Sequence, residues 1–319
     1  MTEQRTMLAT FTPLVLALSS VCSVAQVVPT KFVHDRVFVV APAPDGSTLN
    51  LFTDTGGGWN AISKSAAERL KLRAAGEVDG ERGKAHIVNY PEFLRRAGVP
   101  APSKEPWLNG HLVVAPDAEL TEGDGTLGSR WFADRVWRID YPGQTLEVIS
   151  GWKPSGADHV AALGFASRAD GKRALNFPRI AISVDGKPID VLLDTGATAE
   201  LTEESAPAFQ VKPGTKTGTS YVIKTIFDRW HAAHPTWRVL EKAEKVTGHV
   251  FAMIEVPEVT VAGVTIGPVW FTQRPDATFQ KWMSQMMDRE ISGAIGGSTL
   301  KYLRIVLDYP GATAYVLRN

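Results

Sequence analysis

A single cysteine, Cys22, is all the thiol that this 319-residue chain contains. It has no partner for a disulfide, and no pair of cysteines exists to hold a metal. Charge of one sign is missing too, since 34 Lys and Arg balance 34 Asp and Glu. A basic footprint for nucleic acid is therefore absent, as is a strongly acidic surface. Past residue 30 no apolar run approaches the roughly 18 residues of a membrane-spanning helix. There is no Gly-x-Ser-x-Gly nucleophile elbow. The glycines at 56–58 lack the lysine of a phosphate loop.

The composition is globular, with 44% hydrophobic and 21% charged residues, and the 28 glycines and 20 prolines favour a turn-rich β protein. Residues 1–25 read as a secretory signal peptide. Arg5 gives a weakly positive start, Leu8 to Val21 is mostly apolar, and Ser23-Val24-Ala25 offers a small-x-small cleavage site before Gln26. Glu3 and Pro13 interrupt that pattern, so an uncleaved membrane anchor is the competing reading. A lipoprotein attached through Cys22 fits less well, because Val21 stands where a small residue is wanted. Cleavage after Ala25 implies a periplasmic or secreted chain without cysteine, held together by core packing alone.

The chain contains its own duplicate. Val39 to Ser63 aligns without gaps on Arg179 to Glu203, at an offset of 140. Asp45-Gly46 falls on Asp185-Gly186, and Asp54-Thr55-Gly56 on Asp194-Thr195-Gly196. Gly125 to Ile149 aligns on Gly293 to Leu317, at an offset of 168. There Asp140-Tyr141-Pro142-Gly143 matches Asp308-Tyr309-Pro310-Gly311. The second copy thus carries 28 extra residues between its two blocks. Two lobes of common design follow, residues 27–151 and 175–319, joined by a connection over 152–174.

Asp-Gly between alternating apolar residues predicts a hairpin in each copy. The Asp-Tyr-Pro-Gly turns also sit between predicted strands, and Pro then Gly suits type II geometry. Short helices are expected over 63–72 and 90–97. Asp276 is expected to cap an amphipathic helix through Arg289, with Phe279, Trp282, Met283, Met286 and Met287 packed in the core.

Each Asp-Thr-Gly places a carboxylate on a tight loop. One such turn says little, but two at equivalent positions of a duplicated chain say more. A pseudo-twofold axis brings Asp54 and Asp194 face to face, where two carboxyls about 3 Å apart share one proton. Such a pair activates a water, one Asp as general base and the other protonating a substrate carbonyl.

At these residues the chain resembles the aspartic peptidases, specifically the retropepsin-like and pepsin-like group found in bacteria. The two Asp-Thr-Gly loops carry the resemblance, with Thr126-Leu127-Gly128 and Ala294-Ile295-Gly296, which in that family cross under the catalytic loops. It implies a mostly β, bilobal acid-protease fold with few short helices and a peptide-cleaving cleft between the lobes. Asp54 and Asp194 would be catalytic, with Thr55, Gly56, Thr195 and Gly196 as loop support. A peptide or protein substrate, no metal or organic cofactor and a monomer are expected.

Two departures stand out. Ala197 is a retropepsin-like residue after the second loop, whereas Gly57-Gly58 after the first is unusual and predicts a looser loop. Neither residue 57 nor 197 supplies a hydroxyl, so the pair is expected to hold its proton into the mildly acidic range. The hairpin covering the substrate is sought within 76–124, at 86–90 or 110–115. Trp59 is either a wall of the substrate cleft or a core aromatic. His231, His234 and His249 read as surface residues. The alternative function is a catalytically weak or inactive protease-like peptide-binding protein.

Overall fold

The computed structural model describes residues 23–80, 83–104, 108–120, 122–156, 159–246 and 248–317. Most of the expected signal peptide, with Cys22, lies outside them. The chain is mostly β, with a few short helices and several sheets. Among the described residues no helix is long and apolar enough to cross a membrane.

In chain order the first strands are β1 (Val24–Val28), β2 (Thr30–Val33), β3 (Arg36–Pro42), β4 (Thr48–Asp54) and β5 (Asn60–Ser63). They are followed by β6 (Ala74–Gly80), β7 (Gly83–Val88), β8 (Leu112–Ala115) and β9 (Gly125–Gly128). Strands β2 to β9 form an eight-stranded sheet in the order β2-β3-β4-β9-β5-β8-β7-β6. Next come β10 (Val136–Asp140), β11 (Thr145–Ser150) and β12 (His159–Ala162), the last lying within the segment read as a connection.

The second half contributes β13 (Arg179–Val184), β14 (Lys187–Leu193), β15 (Thr198–Glu200), β16 (Lys216–Gly218), β17 (Ser220–Ile223) and β18 (Val239–Val246). After them run β19 (His249–Val256), β20 (Val259–Val261), β21 (Val264–Ile266), β22 (Val269–Arg274) and β23 (Gly293–Ile295). Nine of these strands form a sheet in the order β18-β19-β22-β17-β23-β14-β13-β20-β21, and β15 pairs with β16. β24 (Arg304–Asp308) and β25 (Thr313–Val316) end the chain.

The run β3-β4-β9-β5-β8-β7-β6 matches β13-β14-β23-β17-β22-β19-β18 strand for strand. Each step also keeps its sense, parallel or antiparallel, in both halves. The duplication seen in sequence is therefore a duplication of topology. Most of the second half's extra residues lie between Thr198 and Ser220, where the first half passes directly from Gly58 to Asn60.

A six-stranded sheet, β1-β11-β10-β24-β25-β12, draws strands from both halves. At its centre Arg138 of β10 pairs with Val306 of β24. These residues are each other's counterparts at the offset of 168, so a twofold axis relating the copies passes between them. Trp131, Phe132, Trp137 and Tyr309 are all fully buried. The rings of Trp131 and Trp137 lie 4.3 Å apart, and both indole N–H groups donate to backbone carbonyls, of Pro100 and Phe132. The halves are also joined where Glu122 accepts from Arg36 and Lys216, and where the Gly218 N–H donates to His34 O at 2.7 Å.

Local expectations fare unevenly. Both Asp-Gly hairpins form. Helices span Lys64–Arg69, capped by the Ser63 hydroxyl, and Glu92–Arg96. The segment from Asp276 is helical but stops at Met286, short of Arg289, and Phe279, Met283 and Met287 are buried in the core as expected. A wide turn at Thr278–Trp282 tightens to a 3-10 turn at Met283–Met286, and this change of pitch leaves Trp282 64% exposed. Asp276 instead accepts from the Thr225 N–H at 3.0 Å and from the Thr225 hydroxyl, at the start of the helix Lys224–Ala233.

The Asp-Tyr-Pro-Gly turns are not type II either. Gln144 and Ala312, not the glycines, take the positive φ, at 52° and 47°. The Asp carboxylates decide this, because Asp140 accepts from the Gly143 N–H and Asp308 from the Gly311 N–H, each at 2.8 Å. A Cβ on either glycine would lie within 2.7 Å of its carboxylate. Glycine is needed there for close approach, not for φ. Gln144→Gly should therefore stabilise the fold by roughly 0.5–1 kcal/mol, whereas Gly143→Ala should destabilise it by about 1–2 kcal/mol. Urea unfolding of the two variants checks this, and opposite signs would restore the type II geometry.

Candidate active site

β4 ends in Asp54, and β14 runs into Asp194. Each strand pairs in parallel with a short strand of the other repeated block: Asp54 stands opposite Gly128, and Leu193 opposite Ile295. Glycine ends the first of those strands and directly follows the second, because nothing larger fits. A Cβ on Gly128 would lie 2.3 Å from Trp59 O, and one on Gly296 would lie 2.3 Å from Thr219 O. The Ser129 N–H donates to Gly57 O at 2.7 Å, and the Asp194 N–H to Ile295 O at 2.8 Å. Both loops are thus tied down by the strands that pass beneath them.

The loops then tie to each other. Thr55 Oγ1 accepts from the Thr195 N–H at 3.0 Å and donates to Leu193 O at 2.7 Å. Thr195 Oγ1 accepts from the Thr55 N–H at 3.1 Å and donates to Thr53 O at 3.1 Å. Both threonines are buried, so each bond replaces one that water cannot make. Thr55 and Thr195 are counterparts at the offset of 140, and the twofold axis passes between them as well.

This exchange brings Asp54 and Asp194 together, half-buried, each carboxyl lying against the glycine of the opposite loop. The Gly56 N–H donates to Asp54 Oδ1 at 3.0 Å, and the Gly196 N–H to Asp194 Oδ1 at 2.8 Å. The same glycines admit the opposite carboxyl. A Cβ on Gly56 would lie 2.5 Å from Asp194 Cγ, and one on Gly196 would lie 2.3 Å from Asp54 Cγ. Gly57 also makes room, since a Cβ there would lie 2.4 Å from Asp54 Oδ2. Its φ is not positive. Absence of a Cβ, rather than looseness, is what this position uses.

Burial raises the pKa of both carboxyls. The neighbouring charge of Asp54 pushes Asp194 further up, and the backbone N–H groups of Gly56, Gly57 and Gly196 pull the pair partly the other way. The pair therefore keeps one proton above the ordinary carboxylate range, and that proton belongs to the pair rather than to either residue.

Beside the first loop opens a cavity of about 360 Å³, lined among others by Gly58, Trp59, Asp79, Gly80, Arg130 and Phe177. Neither carboxyl lines it. Trp59 lines this cavity and packs, partly buried, against the cluster of Ala61, Ile87, Leu108 and Val113. The β6–β7 hairpin reaches over this cavity with Asp79 and Gly80. Neither sequence candidate marks its tip: residues 86–88 lie on its returning strand, and 112–115 form β8 within the sheet. Asp79 and Gly80 are the last residues of β6, paired with Lys84 and Gly83 of β7.

Of the histidines, His234 Nε2 lies 2.7 Å from an Asp185 carboxylate oxygen, and its ring stacks on Trp237. Among the described residues no group of three or more His, Cys, Asp or Glu is placed to hold a metal. No family model matches this chain, and no curated protein matches it.

The raised pKa carries a stability consequence. Between the ordinary carboxylate range and the raised pKa, the folded pair binds a proton that the unfolded chain releases. Stability then falls as pH rises through that window, by about 1.4 kcal/mol for each unit of upward shift. Asp194→Asn removes this loss. The variant should be more stable than wild type at pH 7 and equal to it near pH 3. Denaturant unfolding at both pH values checks this, and a variant less stable at pH 7 would contradict the shared proton.

Proposed function

We propose that the chain is an aspartic endopeptidase of bilobal acid-protease architecture, with the eight- and nine-stranded sheets as lobes and the cleft over Asp54 and Asp194. The observation that carries this reading is the reciprocal Thr55–Thr195 exchange, beside which two carboxyls meet at the axis between duplicated halves. The signal-peptide pattern supports action in the periplasm or outside the cell. Both loops come from one chain, so the active form is a monomer.

In the reaction, Asp54 takes a proton from a water as that water attacks the peptide carbonyl carbon. Asp194 gives its proton to the carbonyl oxygen, and a neutral tetrahedral diol results. As the diol collapses, the C–N bond breaks and the proton on Asp54 passes to the leaving nitrogen. A diol hydroxyl returns a proton to Asp194. The step needs no cofactor. The half-buried setting strengthens each of these transfers relative to water.

The alternative of a peptide binder without efficient catalysis rests on Gly57 and on the lack of a family motif in the hairpin that would cover substrate. The lack of a Cβ at Gly57 leaves space for the Asp54 carboxyl, so that departure from the family pattern is consistent with a working pair.

Cleavage of a mixed peptide pool between pH 3 and 7 tests the proposal. Activity should peak in the mildly acidic range, roughly pH 4.5–6, and be independent of dilution per molecule. Asp54→Asn and Asp194→Asn should each lower kcat by about 1,000-fold or more, because neither carboxyl can fill the other's role. Turnover retained in either variant would overturn the assignment. Gly57→Ala, which pushes on the Asp54 carboxyl, should lower kcat by about 100-fold; full activity would show that the carboxyl does not need that space.

A further inference from the structure

Beyond the second loop lies a buried polar assembly that the proposed chemistry does not use. The Tyr221 hydroxyl on β17 donates to Thr198 O at 2.7 Å and accepts from the Thr198 N–H at 3.0 Å. Thr198 is the fourth residue after Asp194. Its own hydroxyl donates to Gly196 O at 3.0 Å, and Gly196 is the glycine that admits the Asp54 carboxyl. One phenol therefore holds both backbone groups of a residue bonded back into the loop.

The phenol is itself held. The Arg274 guanidinium on β22 lies over the Tyr221 ring, 4.1 Å from its centroid. Arg274 donates to the two oxygens of Glu244 at 2.6 and 2.8 Å, and Glu244 is only 1% exposed. Such a pair is costly to desolvate, and apolar residues of similar volume often match or exceed its stability. Stability alone is a poor reason for it.

The first half supports the same point on its loop by other means. The counterpart of Thr198 at the offset of 140 is Gly58, whose carbonyl accepts from Arg130 Nε at 3.2 Å. The counterpart of Tyr221 in the strand pairing is Ala61. Two unrelated side chains thus brace equivalent points, each four residues beyond its Asp.

We propose that Tyr221 is a positioning residue: its hydroxyl, held in place by the Arg274–Glu244 pair, fixes the 194–198 loop and so the Asp194 carboxyl. The catalytic half of this statement rests on the peptidase reading. Tyr221→Phe keeps a ring beneath Arg274 and removes only the hydroxyl. Amide exchange at Gly196 and Thr198 should rise by about tenfold or more, with Gly56 unchanged. In the same variant kcat should fall roughly tenfold while KM stays within about twofold.

Ser205→Ala is the control. It removes another buried hydroxyl of the same half, one that donates to Ala243 O at 2.6 Å, and should cost stability without lowering kcat. Unchanged exchange at Gly196 and Thr198 would overturn the clamp. Raised exchange with an unchanged kcat would overturn the positioning role. A wild-type chain that cleaves no peptide at any pH would instead overturn the peptidase reading, and amide exchange would still decide whether the hydroxyl holds the loop.

Discussion

Four hydrogen bonds between Thr55 and Thr195 and the strands behind them hold the centre of this molecule. Each hydroxyl both donates to and accepts from the opposite half, so neither loop is complete without the other. A buried threonine left without its partner would cost about 1–3 kcal/mol for each unmet group. That penalty keeps the halves in register and forces two carboxyls into contact that would otherwise repel. The contacts at Glu122 and the six-stranded sheet reinforce a join whose geometry is set at the loops. The glycines at 56 and 196 are then obligatory, since each leaves the space that the opposite carboxyl fills.

Symmetry ends a short distance from that axis. The second half inserts β15 and β16 just past its loop, over a small core that includes Leu201, Leu240, Met253 and Trp270. The insertion pins the β18–β19 hairpin through bonds from Thr202 and Ser205 to the backbone of Lys242 and Ala243. The counterpart hairpin, β6–β7, has no such insertion beside it, and most of its residues are exposed or half-exposed. The second half is thereby braced around its insertion, and the first carries an outlying hairpin over the cavity beside Trp59. In the proposed peptidase, substrate entry is a property of the first half and loop rigidity a property of the second.

Much of this was legible in the sequence because it was written twice. Asp54 and Asp194, the Asp-Gly hairpins and the strands beneath the loops follow from two gapless alignments. Strand pairing across the halves did not follow, because a repeat says which segments are alike and not which ones touch. The turn at Asp140 was misread because a carboxylate claims the Gly143 N–H and shifts the positive φ to Gln144. After Asp276 the helical segment ends early, and only Trp282 leaves the expected apolar face, because a change of helical pitch turns it outward. Tyr221, Arg274 and Glu244 left no trace, since they are far apart in sequence and have no counterpart in the first half.

The claim on which the account stands is that two carboxyls share one proton. Carboxyl ¹³C shifts of Asp54 and Asp194, followed from pH 2 to 9, measure it directly. The account predicts two separated titration steps, with one proton retained on the pair at a pH where exposed aspartates are fully ionised. Two independent titrations, both within the ordinary carboxylate range, would contradict it.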